Sequence, residues 1–303
     1  MDFEAIITQL NEAEVGDILE FEPMYKHTTY KVGGPARAFI EVKDIPALQT
    51  IMKMIKKHHV PYYVIGRGSN VLFSDKEFDG LILSLNQYFN KIDILDHTIM
   101  AQAGASVIKM ALSAANHGLS GLEFISGIPA SVGGVVYMNA GAYLSDVAAV
   151  LSEVTLLNSA GEIVTYKKEE MQFSYRYSIL QDHPDWVVLE AKFELTHGDK
   201  EEIKEVMKNR KAKRMATQPW DRPCAGSVFR NPDQQPAWKY IDECGLRGYS
   251  IGHARVSTKH SNFIVNSGYA SAQDIKNLIE HIQSLVMERF QVELHTEVRF
   301  MNW

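Results

Sequence analysis

Residues 127–143, Gly-Ile-Pro-Ala-Ser-Val-Gly-Gly-Val-Val-Tyr-Met-Asn-Ala-Gly-Ala-Tyr, restrict what this chain can fold into more than any other stretch. The seventeen residues hold four glycines, three alanines and no charge. Side chains this small cannot fill a core by themselves. They let a backbone approach something flat or bulky, and glycine opens turns that are closed to other residues. Two readings follow: a large cofactor against the backbone, or a tight helix–helix seam. A small-residue motif alone does not choose between them.

A length of 303 residues favours two domains over one. The net charge of -6 gives no basic surface for nucleic acid or an anionic membrane. Residues 1–20 lack the basic head and apolar run of a signal peptide. No apolar run approaches the ~20 residues that span a bilayer. Cys224 and Cys244 are too few for a disulfide framework. The expectation is a cytoplasmic protein with no nucleic-acid partner, no membrane insertion and no metal.

Along the chain, residues 28–36 end in a Gly-Gly-Pro turn and 36–42 read as a strand. Asp44 can cap a helix whose buried face is Leu48, Ile51, Met52 and Ile55. His58 and His59 fall at its end and read as cap residues rather than metal ligands. The strand 61–65 runs into Gly66-Arg67-Gly68-Ser69-Asn70, whose backbone N–H groups can form an anion-binding nest. No third glycine opens a helix there, so the dinucleotide fingerprint is absent, and so is the P-loop lysine.

Strands are expected at 81–85 and 92–103, the latter broken by a hairpin turn at Asp96-His97. A helix capped by Ser106 is expected through Asn116. Strands at 150–158, 162–166 and 186–195 follow, and His197-Gly198-Asp199 is the expected domain boundary. A helix over 199–214 should bury Ile203, Val206 and Met207. Its end carries Arg210, Lys211, Lys213 and Arg214, which suits the helix dipole or an anionic substrate. Ser271 and Asp274 form a capping box for a long helix, and 292–300 alternates as a final strand.

The pattern at Gly127–Tyr143 resembles the flavin-binding signature of the UDP-N-acetylenolpyruvoylglucosamine reductase family. Residues 29–36, 66–70, 226–232 (Gly-Ser-Val-Phe-Arg-Asn-Pro), 259–266 and 297–299 (Glu-Val-Arg) resemble that family in the same order. The resemblance implies an α+β fold. An FAD-binding domain of the PCMH/vanillyl-alcohol-oxidase-like superfamily, built of two α/β subdomains, would occupy 1–197. An α+β substrate-binding domain would occupy 198–303, its final strand able to pack back on the FAD domain.

It also implies the reaction: NADPH reduces FAD, and the reduced flavin reduces UDP-N-acetyl-3-O-(1-carboxyvinyl)-glucosamine to UDP-N-acetylmuramate for peptidoglycan. Arg176, Ser227 and Glu297 match the family's carboxylate-binding arginine, proton donor and acidic residue. Tyr30, Gly33, Gly66, Arg67, Gly68, Ser69 and Asn70 would contact FAD. So would Gly127, Ile128, Pro129, Ser131, Gly133, Gly134, Asn139, Ala140, Gly141 and Ala142. Tyr175, Arg214, Asn231 and His260 would contact the nucleotide sugar. Cys224 lacks a local base and reads as a packing residue. The partners implied are a nucleotide sugar and NADPH, with the chain a monomer or weak homo-oligomer.

Two positions depart from the family. Ala130 and Leu144 stand where glycine is common there. The short spacing from Arg176 to Ser227 places the chain in the branch without an extra substrate-covering loop. The alternatives are an FAD-dependent alcohol or hydroxy-acid oxidase of the same superfamily, or a non-catalytic nucleotide-sugar binder.

Overall fold

The largest sheet in the computed structural model, which describes residues 2–303, has five antiparallel strands. Their order is Ile163–Lys167, Leu151–Leu157, Val187–Glu194, Thr98–Gln102, Ile92–Leu95. The central strand buries Val187, Leu189, Ala191 and Phe193 on one side of the pleat. The expected turn at Asp96-His97 links the last two strands, with Asp96 at φ +51°. Short polar residues tolerate that left-handed conformation better than most.

A second sheet runs Gly16–Pro23, Pro35–Val42, Phe78–Ser84, Tyr62–Ile65. Its last pair is parallel, which requires a crossover. The helix Ile45–His58 precedes the Tyr62–Ile65 strand; the Asp44 carboxylate accepts from the Ala47 N–H at its start, and Leu48, Ile51 and Ile55 are buried. His58 and His59 close this helix, His59 in the left-handed region, as expected of cap residues. Ser106 caps the helix Val107–Asn116 in the same way.

By contact the chain groups into two units, neither of them one continuous stretch. The first holds residues 1–20, 37–67 and 79–211; the second holds 21–36, 68–78 and 212–303. A single cut at 197/198 has no counterpart for segments 21–36 and 68–78, whose place is set by long-range packing. In the second unit Tyr30, Val32 and Leu72 share a core with Phe229, Ile241, Ile264 and Ile279. Its three-stranded sheet is Ser250–Ile251, Ala254–Val256, Ile264–Asn266, and its long helix is Ala272–Phe290.

Two local expectations change, and one helix is new. Val206 is exposed, because the helix Lys200–Thr217 buries only Ile203 and Met207. The final strand shrinks to Arg299–Met301, which pairs in parallel with Val71–Phe73. Upstream, Leu294 and Val298 still point inward, but a bridge between Phe229 and Thr296 is the ordered pairing there. Alternating burial thus survives without a regular ladder. A helix at Phe3–Glu12, capped by Asp2, buries Phe3, Ile6, Ile7 and Leu10; the sequence reading assigned nothing there.

Ser271 and Asp274 form the expected capping box on the long helix. Asp75 adds a second anchor: its carboxylate accepts from the N–H groups of Ala272 at 2.9 Å and Gln273 at 3.0 Å. Loss of a capping side chain costs about 0.5–2 kcal/mol. Asp75→Ala should therefore lower the thermal unfolding midpoint, and Asp75→Asn, which keeps one acceptor oxygen, should lower it less. Equal midpoints for all three proteins would contradict this role.

Candidate active site

The signature stretch folds into a turn, a short helix and a second turn. Ser131 caps the helix Val132–Met138. The N–H groups of Val132 and Gly133 are bonded to the carbonyls of Ala105 and Ala103 at 2.9 and 2.8 Å. A Cβ on Gly133 would come within 3.2 Å of the Ala103 Cβ, so this glycine serves packing inside the chain. A Cβ on Gly66 would lie 2.3 Å from Ser131 Oγ. The first unit therefore brings the end of the Tyr62–Ile65 strand against the signature, and a side chain there would have to displace the capping hydroxyl of Ser131.

Asn139 organises the second turn. It is 1% exposed and sits at φ +41°. Its Nδ2 donates to Ser174 O at 2.9 Å and to Asp146 Oδ2 at 3.1 Å, and its Oδ1 accepts from Ala148 N at 2.9 Å. Asn139 is thus a buried structural amide at the centre of the motif. Past it, Tyr143 donates its hydroxyl to Arg210 O at 3.0 Å, and the Arg210 guanidinium lies 4.8 Å from the ring centroid. One of the basic residues at the helix end is therefore engaged with the signature itself. Leu144 is fully exposed at φ +62°, in the region that favours glycine.

Arg176 sits at the tip of a tight turn closed by two backbone bonds between Ser174 and Tyr177. It adopts φ +58°. Its Nη2 donates to Gly141 O at 2.9 Å, and Gln181 Nε2 donates to Arg176 O at 2.9 Å. The guanidinium lies 5.0 Å from the ring centroid of Tyr175, which is half exposed. An arginine in a sparsely populated backbone region, held at both ends, marks a site where geometry is over-determined.

In the second unit, Ser227 and Glu297 are brought together through the backbone. The Glu297 N–H donates to Val228 O at 2.7 Å, one residue from Ser227. Asn70 Nδ2 donates to Glu297 O at 3.0 Å, and Arg299 N donates to Asn70 O at 2.9 Å. Ser227 and Glu297 are both partly buried, whereas Glu293, His295 and Arg299 on the same stretch are exposed. Asn262 holds the serine segment from the other side: its Oδ1 accepts from Phe229 N at 3.0 Å and its Nδ2 donates to Phe229 O at 2.9 Å. Asn266 Nδ2 donates to Tyr30 O at 3.1 Å.

Gly68, at φ +61°, is another position closed to a side chain, since a Cβ would lie 2.0 Å from His27 O. Gly33 is packed against Met24 and Phe73 in the same manner. The N–H groups of Arg67 and, in the second unit, of Gly68, Ser69 and Asn70 have no acceptor among the described residues. Arg67 is exposed; Ser69 and Asn70 are partly buried. Tyr30 is wholly buried in the second unit's core, and its hydroxyl has no partner among the described residues. Burial foremost, with Cys224 nearby, pushes that phenol's pKa up.

The substrate candidates divide. Asn231 is exposed and its Oδ1 accepts from Ala237 N at 3.1 Å, at the start of the helix Ala237–Glu243. Arg214 Nε donates to Gln218 Oε1 at 3.2 Å, and its guanidinium lies 5.9 Å from the Trp220 ring centroid. His260 is partly buried, and its Nδ1 accepts from Asn262 N at 3.2 Å. Burial first, then the charge of Arg247, holds its pKa below the ordinary 6.5. Cys224 packs against the core, and burial pushes its thiol up, away from thiolate reactivity.

Sequence reasoning missed Gln181 and the clamping roles of Asn262 and Asn266. The signal was an amide at each end of the apolar run Phe263–Val265, where a buried polar group needs a partner. It also passed over Arg230, whose Nε is buried without a partner among the described residues.

A family profile described as "UDP-N-acetylenolpyruvoylglucosamine reductase, C-terminal domain" matches residues 218–301. A profile described as "FAD binding domain" matches residues 36–167. The UDP-N-acetylenolpyruvoylglucosamine reductase of Bacillus pumilus is 47% identical, over 99% of both chains. The Bacillus subtilis reductase is 43% identical with the same coverage. The crystal structure of UDP-N-acetylenolpyruvylglucosamine reductase from Thermus caldophilus superposes with a TM-score of 0.80 at 34% identity, over 94% of this chain and 98% of that one.

Leu144 and His260 give direct tests. The left-handed conformation costs a leucine roughly 1–2 kcal/mol, and glycine loses roughly 0.5–1 kcal/mol of that gain to backbone entropy. Leu144→Gly should hold or raise the thermal midpoint, and a clear fall would contradict the assigned strain. For His260, the unfolded chain takes up a proton before the folded one as pH falls through 6.5. Its neutral form therefore stabilises the fold above that pH, and the contribution is lost below it. Urea unfolding of His260→Gln should show a shallower loss of stability below pH 6.5 than the parent. Parallel curves would contradict it.

Proposed function

This chain belongs to the UDP-N-acetylenolpyruvoylglucosamine reductase family, and on that premise we propose that Arg176, Ser227 and Glu297 carry its chemistry. It is an FAD-dependent oxidoreductase of peptidoglycan precursor synthesis. The proposed reductant is NADPH, and the proposed product is UDP-N-acetylmuramate. No helix is long and apolar enough to cross a membrane among the described residues. The proposed setting is the cytoplasm, the proposed state a monomer or weak homo-oligomer. We keep 197/198 as the functional boundary between a flavin part and a substrate part.

The chain's own groups fit the cofactor. Amides at 67–70 that have no acceptor among the described residues suit the phosphate oxygens of FAD. Gly127 to Pro129 and Ala140 to Ala142 are the remaining backbone proposed for that role. The chemistry that FAD supplies when bound is hydride transfer, from NADPH to the terminal carbon of the enolpyruvyl double bond.

Negative charge then develops on the adjacent carbon and spreads into the carboxylate. Arg176 binds that carboxylate; its guanidinium stays charged, and its anchor on Gly141 O fixes the plane of the fork. Ser227 donates the proton that completes the product, as general acid. Glu297 needs protonation or a cationic neighbour to stand beside a developing anion. Tyr175, Arg214, Asn231 and His260 are the proposed nucleotide-sugar contacts. The observation that carries the proposal is the 2.7 Å bond from Glu297 N to Val228 O, which fixes the acidic residue against the serine segment.

Ser227→Ala should leave reduction of the flavin by NADPH intact. Its reoxidation by the enolpyruvyl substrate should slow by about 10²-fold or more, the range for a lost general acid. Stopped-flow absorbance resolves the two half-reactions, and equal slowing of both would remove Ser227 from this role.

A further inference from the structure

We propose that Asp96, His97 and His197 form a surface site for a divalent transition-metal cation of the zinc class, separate from the flavin chemistry. Asp96 and His97 are the two turn residues between the strands Ile92–Leu95 and Thr98–Gln102. His197 lies a hundred residues on, in the short strand Thr196–His197 that pairs with Leu119–Ser120. His97 Nδ1 is 2.6 Å from Asp96 Oδ2, and His197 Nε2 is 3.2 Å from Asp96 Oδ1. All three donor atoms lie within 4.8 Å of one another. Ligands at zinc distances in a tetrahedron stand roughly 3.3 Å apart. Small side-chain rotations therefore open the present cluster into a coordination shell.

The backbone holds the ligands in place. His97 O accepts from Leu195 N at 2.9 Å, and Gly198 N donates to Gly118 O at 2.8 Å. The side chains of Asp96 and His197 are 66% exposed and that of His97 49%, so water can complete the shell. Each neutral imidazole turns its lone pair to the centre by tautomer exchange, with no net proton gained or lost. Two imidazoles and one carboxylate favour zinc, nickel or copper over magnesium and calcium, which take oxygen ligands. A bound cation would clip the hairpin to the segment that enters the helix Lys200–Thr217.

The test is calorimetric titration of zinc chloride into the flavin-loaded full chain, with magnesium chloride in parallel. The site predicts one zinc equivalent beyond that of a His97→Ala/His197→Ala double variant, binding at least tenfold weaker in Asp96→Ala, no magnesium binding, and unchanged turnover in the double variant. Superimposable zinc isotherms for the parent and the double variant would overturn it. X-ray absorption of the zinc-loaded parent is independent of any variant's folding. It should show nitrogen and oxygen ligands at about 2.0–2.2 Å with imidazole scattering. A shell of oxygens alone would also overturn the site.

Discussion

The backbone of Glu297 is bonded at both of its polar groups. Its N–H reaches Val228 and its carbonyl receives the Asn70 amide. These bonds hold the segment after the long helix against both the serine segment and residue 70. The chain returns at its C-terminal end to pair Arg299–Met301 with Val71–Phe73, so segment 68–78 belongs with residues far along the chain. The serine segment is fixed from one side by Glu297 and from the other by Asn262, leaving its backbone little freedom. Buried hydrogen bonds of this kind contribute only about 1 kcal/mol each to stability, but leaving a buried partner unpaired costs about 1–3 kcal/mol. The network is thus better understood as specifying one geometry than as supplying net stability.

The first unit solves the corresponding problem with Asn139 and Gln181. Asn139 ties the signature to Ser174, and Gln181 bonds both Tyr137 O and Arg176 O. The turn that carries the arginine is therefore built onto the motif that the sequence marks for the cofactor. Asn139 takes the left-handed region as a helix C-cap, which asparagine tolerates, whereas Arg176 occupies it at a local cost. Leu144 adds strain of the same kind with no compensating contact, since it is fully exposed.

Much of this was legible in the sequence where the signal was local. Asp44, Ser106 and Ser271 all cap the helices that their positions predicted, because a cap acts over three residues. The hairpin at Asp96-His97 was legible for the same reason. The helix Phe3–Glu12 carried the spacing of Phe3, Ile6, Ile7 and Leu10 and could have been assigned. The strand pattern at 292–300 gave the right burial but not the pairing, since alternation reports which side is buried and not what lies alongside. Segments 21–36 and 68–78 carried no sign of their unit, and neither did the meeting of His197 with Asp96; both depend on contacts between remote parts of the chain. The family resemblance alone nominated Arg176, Ser227 and Glu297 as candidates, while the amides bonded to their segments became visible only in the structure.

If this chain builds a site in which flavin passes hydride to an enolpyruvyl ether, its colour follows the two half-reactions. An anaerobic visible spectrum of the purified protein tests it most directly, read before NADPH, after NADPH, and after adding the enolpyruvyl nucleotide sugar. Oxidised flavin absorbance, its loss with NADPH, and its return with the sugar are the expected result. A colourless protein, or reduced flavin that the sugar leaves unchanged, would contradict it.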